Sequence, residues 1–306
     1  MGSQFSQIFP PAPKFTEPSL PDLHGKVYVV TGASAGIGKE LARLLYSHNG
    51  RVYIAARSSE KASAAISWIK EAHPESKGTL QYLHLDLDDL HGIKASAESF
   101  LARETRLDIL FNNAGVMTPP KGTTTKQGYE LQLGTNCVAP FLFTKLLTPI
   151  MLETAKKEPK GSVRVVWVSS LAAQLNAPAG GVDMNNLDYK KKDVNQMAKY
   201  GISKAGNVFH AMEFQRRYTE HGIVSVTLNP GNLKSDLKRH MPAFGFLIMK
   251  IILHRPVNGA YTELFASLAP GVAGLNTGEW AVPLGRVMQL RKDYYFEASK
   301  KTASVF

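Results

Sequence analysis

From Gly25 onward the chain alternates between two hydrophobic patterns. Short runs that are apolar at almost every position occur at Val27–Thr31, Arg51–Ala56, Thr79–Leu85, Asp108–Asn112, Val163–Ser169, Ser225–Leu228 and Glu279–Val282. Near-continuous apolarity over so short a length is the pattern of a strand covered on both faces. Between these runs, as at Gly38–Ser47, Ser59–Ala72 and Gln196–Tyr218, apolar residues recur at three- and four-residue spacing, which predicts helices. Strands alternating with helices predict an α/β fold, with a doubly wound, seven-stranded parallel sheet and helices on both faces. Residues 1–24 show no such period. Their prolines, Pro10, Pro11, Pro13, Pro18 and Pro21, predict an extended arm ahead of a single domain spanning 25–306.

The stretch Val27 to Leu45, VYVVTGASAGIGKELARLL, runs from a strand directly into a helix and carries Gly32, Gly36 and Gly38 at the junction. A strand-to-helix turn gathers free backbone N–H groups at the positive end of a helix, and glycines let that backbone approach a pyrophosphate closely. This reading predicts a Rossmann-type dinucleotide site. The spacing is Gly-x-x-x-Gly-x-Gly, which departs from the general G-x-G-x-x-G fingerprint, and a purely structural turn is the alternative. The end of the second strand discriminates between cofactors. An acid there would accept the ribose hydroxyls of NAD, but the sequence reads RVYIAARSSEK, with Arg57 and Ser58 instead. A guanidinium binds phosphate bidentately, and the Ser34 hydroxyl is placed to join it, so the expected cofactor is NADP(H).

Composition narrows the function classes. The 306 residues are 44% hydrophobic and 20% charged, as in ordinary globular proteins. A net charge of +11 favours phosphate-bearing ligands or an anionic membrane surface. No basic helix interleaved with aromatics points to nucleic acid, and Lys190-Lys191-Lys192 reads as a solvated loop. The single cysteine, Cys137, excludes an internal disulfide framework and fits a reducing, cytoplasmic setting. No unbroken apolar run reaches the roughly 18 residues of a membrane span, and the N-terminus lacks the basic-then-apolar order of a secretory signal. The opening Met-Gly-Ser-Gln-Phe-Ser matches the N-myristoylation pattern at Gly2, with Ser6 in the required place. The histidines show no zinc-ligand spacing, so no metal is expected.

Tyr200 and Lys204 stand at i and i+4 of a predicted helix and share one face. An ammonium beside a phenol lowers the phenol's pKa, which makes proton exchange with an alcohol oxygen practical. In order along the chain, these motifs accompany the pair: Thr31-Gly32-x-x-x-Gly36-Ile37-Gly38, Asp86 after the third strand, Asn112-Asn113-Ala114-Gly115, Asn136, Ser169-Ser170, and Asn229-Pro230-Gly231. With them the chain resembles the short-chain dehydrogenase/reductase superfamily from Gly25 to about Arg286. The resemblance implies that Tyr200 is the general acid/base, that Lys204 lowers its pKa and binds the nicotinamide ribose, that Ser170 orients the substrate oxygen, and that Asn136 holds a water linking Lys204 to solvent. It further implies that Asp86 contacts the adenine with Leu87 beside it, and that Asn113, Ala114 and Gly115 wall the adenosine side. Leu233 and Ser235 would lie along the nicotinamide carboxamide, with Pro230 and Gly231 also among the cofactor-binding residues. Lys145 matches a basic position tied to cofactor binding in some members, with a solvated lysine as the alternative.

Ser170 and Tyr200 lie 30 residues apart, a long interval similar to that in the retinol-dehydrogenase-like and related fungal branches. That interval and the segment after the Pro-Gly turn, a lid around 232–256, are expected to line the substrate pocket. Met241–Leu253 within the lid is strongly apolar and flanked by His240, Lys250 and His254. This suits a bulky hydrophobic substrate, with core packing or peripheral membrane contact as alternatives. The expectation is an NADP(H)-dependent oxidoreductase interconverting a carbonyl and an alcohol on a hydrophobic small molecule. A non-redox isomerase or cyclase on the same fold and an NADPH-sensing regulatory protein are the rival readings. Relatives pair through helices near residues 127–153 and 196–218, so a homodimer or homotetramer is a further expectation from the resemblance.

Overall fold

The structure is a computed structural model that describes residues 2–234, 253–276 and 278–295. Strands β1 (Val27–Thr31), β2 (Arg51–Ala56), β3 (Thr79–His84), β4 (Ile109–Asn112), β5 (Val163–Val168), β6 (Ile223–Leu228) and β7 (Glu279–Val282) fall on the predicted runs. With a further strand β8 (Arg286–Gln289), the sheet order is β3-β2-β1-β4-β5-β6-β7-β8. The chain winds outward from β1 in one direction, then restarts at β4 and winds in the other. This leaves a crevice at the carboxyl ends of β1 and β4, where ligands of such sheets bind.

One prediction is corrected. The sheet has eight strands rather than seven, and β8 (Arg286–Gln289) runs antiparallel to β7. Leu284 and Gly285, in the three-residue connection between the paired Val282 and Arg286, both take positive φ, +66° and +79°. A leucine at the first of these positions hides the turn from a reading that looks for Asn-Gly or Asp-Gly. The half-exposed alternation of β8 is also too short to stand out.

Side chains alternate across the sheet. Tyr28 and Val30 of β1 pack under α2 (Gly36–Ser47), α3 (Ser59–Ala72) and α9 (Pro256–Leu268). Val27 and Val29 face the opposite layer, made by α4 (Leu90–Leu101), α6 (Ala139–Ala155) and α8 (Gln196–Tyr218). The short α5 (Leu131–Leu133) and a π-helical turn at Gly134–Val138 lead into α6, so helix runs without a break over Leu131–Ala155. By length and composition that run could cross a membrane, but Phe143, Leu147 and Met151 are buried in the protein core. A further short helix, α7 (Leu171–Leu175), follows β5.

The N-terminal arm is not extended throughout. Gly2–Ile8 forms a short helix, α1, which ends ahead of Pro10 and Pro11. Downstream, Phe15 stands edge-on to Phe265 of α9 at 6.2 Å, and Leu20 and Leu23 enter the core.

Candidate active site

The crevice over the β1/β4 ends is a cavity of about 700 Å³. Its first wall is the β1–α2 turn. Gly32 and Gly36 have φ of +69° and +57°, a region side-chain-bearing residues rarely adopt. At Gly38 the constraint is space: a Cβ would stand 2.6 Å from Asn113 Nδ2 and 2.8 Å from the Gly32 carbonyl oxygen. Thr31 ties this turn to the end of β4. Its Oγ1 accepts the Asn113 and Ala114 N–H groups at 3.0 Å each, and Asn113 Nδ2 donates to the Thr31 carbonyl at 2.7 Å. The residue that caps α2, Ala35, has no side chain to satisfy the first-turn N–H groups, and Gly36 and Ile37 line the cavity. Uncapped donors at a positive helix end fit the pyrophosphate of a dinucleotide.

At the end expected to take the adenosine, Ser34, Arg57, Asp86 and Leu87 all line the cavity, as do Asn113, Ala114 and Gly115. The guanidinium of Arg57 is two-thirds exposed and donates to Asp88 Oδ2 at 3.0 Å. Asp88 also accepts from the Thr135 hydroxyl at 2.6 Å. Nothing in the sequence linked Asp88 or Thr135 to Arg57, because they come together only through the fold: Asp88 lies 31 residues from Arg57.

The catalytic candidates converge at the other end. Tyr200 and Lys204 emerge from one face of α8, with Lys204 Nζ 5.8 Å from the phenol ring centroid and donating to the Val168 carbonyl at 2.8 Å. Ser169 is locked away, its hydroxyl donating to the Lys204 carbonyl at 2.7 Å. Ser170 instead hydrogen-bonds Tyr200 and lines the cavity. Asn136 sits behind this group in the π turn, a widening of the helix often found at functional sites. Its Oδ1 accepts from the Val116 N–H at 2.7 Å, and its Nδ2 donates to the Val116 carbonyl and the Ser203 hydroxyl. Gly115 packs so tightly here that a Cβ would come within 3.1 Å of Asn136 Oδ1 and 3.3 Å of Lys204 Nζ.

Burial sets the charge states. It pushes the Tyr200 phenol up to about 12, and the Ser170 hydrogen bond pulls it partly back. It pulls the Lys204 ammonium down to about 8, against the opposing influence of Cys137 and Glu263. Ser170 thus helps to pull the phenol down, a role the sequence had not assigned to it. Glu263 on α9 was not singled out by its sequence context. Its carboxyl is fully buried with no hydrogen-bond partner among the described residues, and burial raises it to about 8.

The family model described as short chain dehydrogenase matches residues 26–182. A short-chain dehydrogenase/reductase from Phomopsis amygdali is 52% identical over 294 residues, covering 94% of this chain and 87% of the relative. The chain belongs to the short-chain dehydrogenase/reductase family. Another relative, the short-chain dehydrogenase/reductase pkfC from Emericella nidulans, is 49% identical and covers 94% of each chain. Among solved structures, the Pseudomonas aeruginosa RhlG/NADP active-site complex superposes with a TM-score of 0.65 at 24% identity, covering 84% of this chain and 94% of that one. The family consists of oxidoreductases that bind nicotinamide cofactors, and the cavity of this dehydrogenase has the walls for one.

Most expected site residues meet in the cavity, including Pro230, Gly231 and Leu233. Gly38 and Asn136 stand just behind its wall. Lys145 does not take part: it is exposed on α6, away from the cavity lining, so the solvated reading is the one the structure supports. Ser235 and residues 241–252 of the expected lid lie outside the described residues. Leu175 and Met197 lie in the interval between Ser170 and Tyr200 that was expected to line the pocket, and the cavity adds Ile8 and Met117, which sequence reasoning missed. Neither of these carries a chemical signature, since only their neighbours make them pocket residues.

Proposed function

We propose that this dehydrogenase is an NADP(H)-dependent carbonyl reductase acting on hydrophobic small molecules. The observation that carries the reading is the buried Tyr200 and Lys204 with the half-buried Ser170 at one end of a cavity whose other end holds the uncapped α2 turn and Arg57. A phenol with a pKa near 12 is protonated at neutral pH, so Tyr200 starts in the form that carbonyl reduction requires. The Ser170 hydroxyl donates a hydrogen bond to the substrate oxygen and fixes it beside Tyr200. As negative charge develops on that oxygen, Tyr200 delivers its proton. The Lys204 ammonium stabilises the phenolate that remains. A nicotinamide bound in the cavity would supply the hydride. Met117, Ala172 and Met197 pack around Tyr200, which favours apolar substrates and excludes water from the proton transfer.

The NADP(H) preference rests on Arg57. Its bond to Asp88 is an exposed ion pair, worth at most about 1 kcal/mol, so a 2′-phosphate can draw the guanidinium away. Charge-assisted hydrogen bonds to phosphate repay that cost. The test is cofactor binding and turnover on a panel of hydrophobic ketones and aldehydes with Arg57→Ala alongside. NADPH affinity is expected to fall by about tenfold or more while NADH affinity holds. Equal losses for both cofactors would remove the phosphate assignment, and no turnover on any carbonyl would overturn the reductase reading.

A further inference from the structure

The N-terminal helix α1 reaches the cavity from a part of the chain that the family model does not cover. Ile8, its last residue, is part of the cavity wall together with Pro230, Gly231, Asn232 and Leu233. Three contacts fix it there. Gln7 is buried, and its Oε1 accepts from Asn229 Nδ2 at 2.9 Å, while Asn229 Oδ1 accepts the Gly231 N–H at 3.1 Å. One asparagine therefore joins the helix to the Pro-Gly turn. Arg286, at the start of β8, donates to the Ser6 carbonyl at 2.6 Å and to the Ser6 hydroxyl at 3.2 Å. His254 Nε2 lies 3.3 Å from the Ile8 carbonyl oxygen.

His254 is itself bonded to Asn232 and Lys234 through its backbone, where Leu233 and His254 pair as a parallel bridge. The same bonds thus hold Ile8 and the edge of the cavity formed by the turn after β6. A seven-residue helix has no stability of its own, so docking is what defines its position. Phe5 and Phe9 point outward, while Gln7 is only 3% exposed, so the inner face is the one specified by polar contacts.

We propose that α1 is a built-in wall of the substrate pocket and that Ile8 is a specificity-determining residue, its bulk limiting the room beside the Pro230–Leu233 turn. This rests on the carbonyl-reductase reading for its substrate class, but the placement of Ile8 does not. Adding or removing about one methylene's worth of wall changes discrimination by about tenfold or more. The experiment compares kcat/KM for a graded series of cyclic ketones, from cyclopentanone to 2-decalone, in the full-length wild type, Ile8→Ala and Ile8→Phe. The ratio of bulky to small substrate should rise by about tenfold in Ile8→Ala and fall comparably in Ile8→Phe. An unchanged ratio in both variants would overturn the proposal.

A second measurement is independent of turnover. In Ile8→Cys the new thiol is labelled with N-ethylmaleimide with and without saturating NADPH. The single native cysteine, Cys137, is buried and its thiol pushed up by burial, so it stays silent. Several-fold protection by NADPH supports Ile8 as a cavity residue, and equal labelling rates would refute it. A wild type that binds NADPH but reduces no ketone counts against the reductase reading, while protection at position 8 still places Ile8 in the wall.

Discussion

Tyr200 and Lys204 share a helix face and a dry site, and burial moves them in opposite directions because it penalises the charged form of each. The phenol is held neutral and the ammonium is weakened. Below a pH of about 8 Lys204 carries its charge; above it the proton leaves. Reduction should therefore show kcat/KM falling as pH rises through about 8. In Lys204→Arg, which keeps its charge, that limb should move upward. A limb that stays in place would mean another group is responsible. The pair and the glycine turn were legible because their chemistry requires particular residue types at fixed spacing. The Arg57–Asp88 contact and the orphaned Glu263 carboxyl were not, since both are defined by strand pairing and helix packing across the fold.

At the scale of elements, strand and helix positions followed from burial on two faces, and β1, β2, α3 and α8 begin and end where the hydrophobic pattern does. The failures have local causes. The polar, proline-flanked α1 exists through its tertiary contacts, and β8 through a turn that places Leu284 at positive φ. The β1–α2 turn makes a sharp prediction. In Gly38→Ala the new Cβ meets Asn113 and the Gly32 carbonyl, so stability should fall by about 1–3 kcal/mol and NADPH affinity should drop with it. A denaturant midpoint and a binding titration check both. Arg164 makes another. Its buried guanidinium donates to the Gly161, Ala266 and Ala269 carbonyls and satisfies the C-terminal end of α9. Arg164→Ala should cost about 2–3 kcal/mol by stranding those carbonyls, measured as a lower urea midpoint.

For the whole molecule, the reversal of strand order at β1 and β4 gathers turns from distant parts of the chain into one cavity, which spacing alone cannot reveal. Global stability should carry a signature of His210. This ring packs against Phe141 and Trp167, and burial lowers its pKa to about 4. As pH falls below about 6.5 the unfolded chain takes up this proton first, so up to about 3 kcal/mol of stability is lost between there and pH 4. A His210→Gln variant should show a flatter dependence of melting temperature on pH over that window, and parallel curves would contradict it. The most direct test of the central claim is NADPH oxidation with hydrophobic ketones by the wild type and Tyr200→Phe, with NADPH affinity measured in both. The account predicts turnover by the wild type, a loss of about 10²–10⁴-fold in the variant, and unchanged NADPH binding. A variant that binds NADPH and reduces ketones as fast as the wild type would contradict it.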